Sequence, residues 1–396
     1  MKFKAQHKLR KPTGVYVVGT AYDTFQYTPS IADAEPETSP RTIPVLYFYP
    51  ARGIGAGTLR KYIHENILPG AEGIETNSYL GAPIVEGEHP LLLFSHGMTL
   101  ACELHTVQCE ELASHGYIVV SIGHPGGGSY ELPNGELIVF DMQKAEEEAE
   151  ANSAAIEVFN QFAAWLGSVG KTAAPDEHYP HYQSVIDSQP AVMQRADLWI
   201  KDSLAAIDWI LDQVVQPGTL LYNHVDTDKI GAFGMSFGGS TAMSISALSD
   251  VIKAAANLDG FFYSASWQLP LTKPMLLMNN DSSFGGFLRF PFLNAQGDTY
   301  LATVSETTHG SFIDYTEILA ENEINKREVD GEEVELPLLG SIDPNRMETI
   351  MNTFLLDFFN KYLKGEPSRL IDTDDLPAEV VLLRKQKAAE TVSARE

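Results

Sequence analysis

Short apolar runs alternate along the chain with longer segments of helical periodicity. Residues 90–95 are almost continuously apolar, as expected of a strand that is covered on both faces of a sheet. Similar runs predict strands at 13–21, 43–49, 117–122, 230–234, 254–258, 274–278 and 300–304. Strands that alternate with helices favour an α/β fold with a mostly parallel central sheet and helices on both faces.

The helical segments between these runs have a 3.6-residue period. A helix is predicted over about 99–115, where Gly116 ends it, and another over about 345–363, shortly before Gly365. The helix before residue 230 has one apolar stripe, formed by Ile200, Leu204, Ile207 and Leu211. Spacings of four, three and four place such a stripe on one face, which predicts packing against the sheet.

Three segments fit this alternation poorly within what we expect to be a single domain spanning 1–396. Residues 126–190 contain an acidic run and a polar, aromatic stretch, and we interpret them as an insertion over the strand ends that forms a lid. A solvated helix and loop without a gating role is the alternative. Residues 322–343 form a second polar insertion, and 366–396 are predicted to be a charged, loosely held C-terminal tail.

Charge excludes some classes of partner. The 53 acidic and 27 basic residues give a formal net charge of −26, which disfavours nucleic acids and anionic membranes as partners. The chain has two cysteines, no apolar run long enough for a transmembrane helix, and no apparent signal peptide. We therefore predict a cytoplasmic protein without a disulfide framework, whose partner is a small-molecule or lipid substrate.

The strongest chemical signal is Gly234-Met235-Ser236-Phe237-Gly238-Gly239. It lies between the predicted strand at 230–234 and a helical segment that starts near Ser240. A strand, a sharp turn and a helix form the nucleophile elbow of α/β-hydrolases, in which the central serine is exposed at the top of the sheet. Ser236 is the predicted nucleophile of an α/β-hydrolase fold.

The order of residues along the chain selects the general base. In this fold the histidine follows the nucleophile, and His309 is the one histidine after Ser236. It comes after the predicted strand at 300–304, in the loop Glu306-Thr307-Thr308-His309-Gly310.

Two aspartates are candidates for the acid that orients the histidine. Asp259 ends the strand at 254–258, and Asp281 follows the strand at 274–278. Both positions suit a carboxylate that stabilises an imidazolium. Chain order and strand position leave the choice open.

The oxyanion hole needs two backbone N–H donors. One is expected from Phe237, which follows the nucleophile, and the other from the loop Ser95-His96-Gly97-Met98. Gly97 permits close approach of the backbone, so Met98 is the predicted second donor. His96 precedes the serine and is predicted to make structural hydrogen bonds rather than to act as the base.

Cys102, His105 and Cys109 share one helical face and resemble a metal site. The two cysteine Cα atoms are about 10 Å apart on a helix that rises ~1.5 Å per residue, which suits neither a disulfide nor one tetrahedral zinc ion. We predict packing residues, no metal and no cofactor.

The motifs resemble those of plasma and type II platelet-activating factor acetylhydrolases, and more broadly the dienelactone-hydrolase-like group. The resemblance rests on 13–16, 46–50, 94–98, 112–120 and 234–239, and runs patchily from about 13 to 363. It implies that the acid is Asp259, in its Leu-Asp context, and that no metal is required. Met235 departs from the family, where histidine is usual.

These features predict a serine carboxylic ester hydrolase that acts through an acyl-enzyme intermediate. Short acyl groups, as in acetylated phospholipids, are implied by the resemblance alone. The alternatives are an amidase or peptidase with the same three residues, a lipase for longer chains, and a binding module on an inactive hydrolase fold.

Overall fold

The computed structural model describes residues 7–29, 40–68, 71–141, 143, 153–170, 172–281, 283–314, 318, 326–329, 332–335 and 339–387. The strands of these residues are β1 His7–Lys8, β2 Val17–Tyr27, β3 Arg41–Ala51, β4 Thr58–Lys61, β5 Ile74–Leu80, β6 His89–Ser95, β7 Ile118–Ile122, β8 Tyr130–Glu131, β9 Leu137–Ile138, β10 Val225–Met235, β11 Ile252–Leu258, β12 Met275–Asn280, β13 Thr299–Val304, β14 Lys326–Val329, β15 Glu332–Glu335 and β16 Val380–Lys385. The helices are α1 Thr106–Ser114, α2 Ser153–Trp165, α3 Pro175–Asp187, α4 Pro190–Val215, α5 Phe237–Leu248, α6 Arg289–Asn294 and α7 Pro344–Phe359.

One large mixed sheet organises the described chain. Its order is β1-β5-β2-β3-β7-β6-β10-β11-β12-β13-β16, with β4 beside β5. The run from β7 to β13 is parallel, whereas β3 and β16 pair antiparallel with its two edges. The predicted α/β fold with a mostly parallel sheet and helices on both faces is confirmed.

The central strands are buried on both faces, which explains their continuous apolar runs. Along β6, Leu91 and Leu93 join a cluster that contains Ile200 and Ile207 of α4. The alternate residues Leu92 and Phe94 join the opposite cluster, which α1 and α7 complete. This period of two follows from the alternation of side chains across a strand, and it requires an apolar residue at almost every position.

The insertion at 126–190 contains the ladder of β8 and β9 and the helices α2 and α3. The two helices contact each other and the segment 283–294 that follows β12. Residues 142, 144–152 and 171 lie outside the described residues. The insertion therefore packs over the region beyond the carboxyl end of β12, and its movement as a lid stays a prediction.

The C-terminal prediction needs correction. Residues 366–396 were expected to be loosely held, but β16 is the antiparallel edge strand of the main sheet, paired with β13. Val380 and Leu382 are buried, whereas Val381 and Leu383 are exposed. This alternation is the signature of a half-buried edge strand. Residues 388–396 lie outside the described part of the chain.

Of the polar insertion at 322–343, the described residues 326–329 and 332–335 form the hairpin of β14 and β15.

The helix predicted at 99–115 begins later, at Thr106. Among the described residues, no helix combines the length and the apolar composition needed to cross a bilayer.

Candidate active site

Ser236 lies at the sharp turn between β10 and α5. Its backbone has φ 55° and ψ −119°, a conformation that is strained for any residue except glycine. The turn is possible because two glycines allow chain segments to approach. A Cβ on Gly234 would lie 2.3 Å from the backbone of Gly238, and one on Gly238 would lie 1.9 Å from the carbonyl oxygen of Ser95.

Two hydrogen bonds connect Ser236, His309 and Asp259. His309 Nε2 lies 2.9 Å from Ser236 Oγ, and His309 Nδ1 lies 2.6 Å from Asp259 Oδ2. A carboxylate only accepts, so Nδ1 carries the proton and Nε2 is free to accept the serine proton. The structure thus brings together the three residues selected from the sequence, at the carboxyl ends of β10, β11 and β13.

The electrostatics of His309 favour its protonated form. Burial lowers the pKa of His309, but the hydrogen bond and negative charge of Asp259 outweigh burial and raise the pKa above its ordinary value. The imidazole is 51% exposed and the Asp259 carboxylate 5% exposed. A base in this environment can accept a proton while its cation is stabilised.

Asp259 is held by β12. Its Oδ1 accepts the backbone N–H of Asn280 at 2.9 Å, and its Oδ2 accepts the Asn280 side-chain amide at 2.7 Å. Asn280 was not singled out from the sequence, although its position at the polar end of a buried strand was a signal.

Asp281, the alternative acid, has different partners. It accepts the backbone N–H groups of Glu306 at 2.9 Å and Thr307 at 3.3 Å. These residues belong to the loop that leads to His309. Asp281 therefore fixes the path of that loop, whereas Asp259 contacts the imidazole.

The loop after β6 approaches the serine closely. A Cβ on Gly97 would lie 3.3 Å from Ser236 Cβ, and Met98 packs against the cluster that contains Phe237. Thr99, at φ 69°, donates its backbone N–H to Gly127 at 2.8 Å and so turns the loop. The loop that contains Met98 therefore lies close to the nucleophile, and the roles of Met98 and Phe237 as oxyanion donors stay a prediction.

His96 supports this loop. Its Nδ1 lies 2.7 Å from the carbonyl oxygen of Gly97, which requires a proton on Nδ1, and its Nε2 lies 2.8 Å from the Tyr130 hydroxyl. Burial, with the nearby His124, lowers the pKa of His96 to about 3. His96 is therefore a neutral structural donor, in agreement with the role predicted for it.

A second serine–histidine–aspartate set lies behind the loop. His124 Nε2 is 3.2 Å from Ser95 Oγ, and His124 Nδ1 is 3.0 Å from Asp202 Oδ2. Arg41 donates to both carboxylate oxygens of Asp202, at 2.8 and 2.9 Å, and Trp199 stacks on the imidazole with ring centroids 4.0 Å apart. This set was not predicted from the sequence, because its members come from distant positions along the chain.

The two cysteines and two further histidines, His105 and His181, have packing or structural hydrogen-bonding roles. Cys102 and Cys109 are buried free thiols, and His105 Nε2 donates to the carbonyl oxygen of Phe312 at 3.0 Å. His181 stacks on Trp165 in the insertion. Among the residues that the structure describes, no group of three or more His, Cys, Asp or Glu side chains could hold a metal ion.

A cavity of about 240 Å³ opens beside the serine. Its walls include Ser236, Asp259 and His309, and most of the remaining lining is aromatic or apolar. A reacting group in this cavity would contact both the nucleophile and the base.

The chain is similar in sequence to known proteins. Residues 1–131 match the model of the family described as platelet-activating factor acetylhydrolase, isoform II. The platelet-activating factor acetylhydrolase of Gallus gallus is 24% identical over 287 residues, which cover 70% of this chain and 62% of that protein. That of Canis lupus familiaris is 23% identical over 400 residues, covering 90% and 78%. The chain resembles these acetylhydrolases.

A solved structure extends the likeness to the whole fold. The ferulic acid esterase from Streptomyces cinnamoneus superimposes with a TM-score of 0.69 and 21% identity, covering 96% of this chain and 100% of that one. The fold is that of an α/β-hydrolase.

Proposed function

We propose that the protein is a serine carboxylic ester hydrolase with Ser236 as nucleophile, His309 as general base and Asp259 as the acid that orients it. The observation that supports this most directly is the pair of hydrogen bonds at 2.6 and 2.9 Å that links the three side chains beside a cavity. The resemblance to acetylhydrolases and the α/β-hydrolase fold support the same reaction class.

The reaction follows from these positions. His309 Nε2 removes the proton of Ser236 as Oγ forms a bond to the ester carbonyl carbon. The backbone N–H groups of Met98 and Phe237 stabilise the oxyanion that develops. The C–O bond to the alcohol then breaks as His309 gives the proton to the leaving oxygen. In the second half-reaction His309 takes a proton from water, the water oxygen bonds to the acyl carbon, and the bond to Ser236 Oγ breaks as Oγ regains a proton from His309.

The cavity favours a compact acyl group over a long chain. Its volume of about 240 Å³ is below the ~300–1,000 Å³ of pockets for drug-sized ligands. Together with the resemblance to acetylhydrolases, this supports short-acyl esters, including acetylated phospholipids, as substrates.

We keep the predicted cytoplasmic location as part of the proposal, to be tested by cell fractionation.

A series of p-nitrophenyl esters from acetate to dodecanoate tests the proposal. We expect the highest kcat/KM at acetate or butyrate, and a loss of about 10⁴-fold or more in kcat for Ser236→Ala, as found when a serine nucleophile is removed. Undiminished activity of Ser236→Ala would exclude this mechanism. Highest activity at dodecanoate would favour a lipase, and faster hydrolysis of a matched anilide than of its ester would favour an amidase.

A further inference from the structure

The cavity beside Ser236 has an aromatic wall. Phe261, Tyr263 and Phe287 come from the loops after β11 and β12, and Phe159 comes from α2 of the insertion. The lining residues are Phe159, Ser236, Asp259, Gly260, Phe261, Tyr263, Asn279, Phe287, Leu288 and His309. This set includes no Lys or Arg, so the wall offers no cation to a charged group.

The rings meet at crossing angles. Phe261 and Phe287 have centroids 5.4 Å apart and planes at 90°, whereas Phe261 and Tyr263 are 5.0 Å apart at 61°. Phe159 and Phe287 are 4.5 Å apart at 38°. Rings in such arrangements can meet a further aromatic ring edge-to-face or offset, which are the geometries that aromatic pairs prefer.

The insertion positions two of these aromatic residues, one through its ring and the other through its backbone. Tyr182 of α3 is fully buried and stacks on Phe261, with centroids 4.5 Å apart and planes at 14°. Its hydroxyl donates to the carbonyl oxygen of Phe287 at 3.0 Å. The wall is therefore ordered before a ligand binds, so the ligand does not have to supply the free energy to order it.

The position of the cavity limits what can enter. Ser236 and His309 form part of its lining, so a ring held by Phe159 and Phe287 lies close to the ester bond under attack. The volume of about 240 Å³ suits one compact group. A saturated group of the same size would bury similar apolar area but would lack ring–ring geometry.

We infer that this cavity accepts a compact, uncharged aromatic ring close to the ester bond, held by Phe159, Phe261, Tyr263 and Phe287, so that an aromatic ester is hydrolysed in preference to a saturated ester of the same size. The inference rests on the proposed ester hydrolysis and adds the class of substrate. The ring belongs either to the acyl group or to the alcohol, since Ser236 and His309 are both adjacent to the cavity.

Paired substrates test this with the full chain. In the acyl arm, methyl phenylacetate is compared with methyl cyclohexylacetate. In both esters a methylene group separates the ring from the carbonyl, so the two carbonyl groups have similar intrinsic reactivity. In the alcohol arm, benzyl acetate is compared with cyclohexylmethyl acetate. We expect kcat/KM for the aromatic ester to exceed that for its saturated partner about fivefold in one arm, equivalent to about 1 kcal/mol.

Variants assign the preference to the cavity. Phe159→Leu and, separately, Phe287→Leu should each lower the aromatic-to-saturated ratio toward one, because each keeps apolar volume and removes one of the four rings. Phe290→Leu is the matched control: Phe290 contacts Tyr182 at 4.9 Å in the same cluster but does not line the cavity. It should retain the ratio of the unmodified protein.

The outcomes separate this inference from the proposed function. Hydrolysis of all four esters with ratios near one in both arms overturns the inference and leaves ester hydrolysis intact. A ratio that survives both Phe159→Leu and Phe287→Leu also overturns it. No hydrolysis of any ester, p-nitrophenyl acetate included, would instead overturn the proposed function and the inference with it.

Discussion

Within the part of the chain that the structure describes, two histidine–aspartate pairs, His309–Asp259 and His124–Asp202, each place the imidazole against a serine hydroxyl. The pairs have similar distances, 2.6 Å and 3.0 Å between Nδ1 and the carboxylate. They differ in their surroundings. His309 is half exposed beside a cavity, whereas His124 and Asp202 are completely buried.

The pKa shifts of the two imidazoles have opposite directions: the pKa of His309 is raised and that of His124 is lowered. Asp259 is the nearest charged partner of His309, and its negative charge raises the pKa of that imidazole. In the second pair, burial lowers the pKa of His124 most, Asp202 opposes this, and Arg41 lowers it further. Hydrogen bonds from His124 and Arg41 overcome burial and lower the pKa of Asp202.

We infer from this comparison that hydrogen bonds among a serine, a histidine and an aspartate do not by themselves make a catalytic site. The base must be able to hold a positive charge transiently, and the serine must be reachable by substrate. Ser95 is 2% exposed, and Trp199 covers the imidazole of its partner His124. We interpret the buried set as a support for the loop that contains Gly97 and Met98.

The largest effect that sharpens this contrast is expected from Asp259→Asn. It removes the charge that orients and stabilises His309, and we expect kcat to fall about 10⁴-fold, as when a triad aspartate becomes asparagine. Steady-state kinetics with p-nitrophenyl acetate measure this, with circular dichroism as the check on folding. The matched change at the alternative acid, Asp281→Asn, should lower kcat much less, and a larger loss there would reassign the acid.

Asp202→Asn should act on stability instead. It leaves the Arg41 guanidinium, only 11% exposed, without its carboxylate, and breaking a buried ion pair in this way costs about 3–5 kcal/mol of unfolding free energy. Urea denaturation measures the change. Asp372→Asn, in the partly exposed ion pair with Lys361, should cost about 1 kcal/mol or less. Equal costs for both variants would contradict the distinction.

The pH dependence should report His309 and not His124. The base must be neutral, and its pKa is raised, so kcat/KM is expected to rise with pH through a value above 6.5 and to be lost below it. In Asp259→Asn the rise of the residual kcat/KM with pH should occur at lower pH, because burial then acts on the imidazole without an opposing charge. If the rise occurs at the same pH as in the unmodified protein, another group controls the profile.

The smallest effect is expected from Ser95→Ala. It removes one hydrogen bond to His124 and no reacting atom, so kcat should fall less than about tenfold and the unfolding free energy by about 1 kcal/mol. Labelling by a fluorophosphonate probe should persist in Ser95→Ala and disappear in Ser236→Ala. Loss of labelling in Ser95→Ala with the fold intact would make the buried set part of the active site.

Much of the fold and of the candidate site was predictable from local pattern. The strands at 90–95 and 230–234, with the glycines around Ser236, indicate the elbow because its elements are contiguous in sequence. His309 was selected by chain order. By contrast, β16 was missed because its four apolar residues, 380–383, stand in a charged tail, and an edge strand is stabilised only by the partner it finds in β13.

The sequence by itself determined the two-sided parallel sheet and the positions of Ser236 and His309, because apolar periodicity and turn-forming residues act over a few neighbouring positions. Only the tertiary structure decided which aspartate contacts His309, since the carboxyl ends of β11 and β12 are adjacent in space and Asn280 orients one carboxylate. It also decided that rings of α2 and the loops after β11 and β12 share one cavity, a contact between segments more than a hundred residues apart.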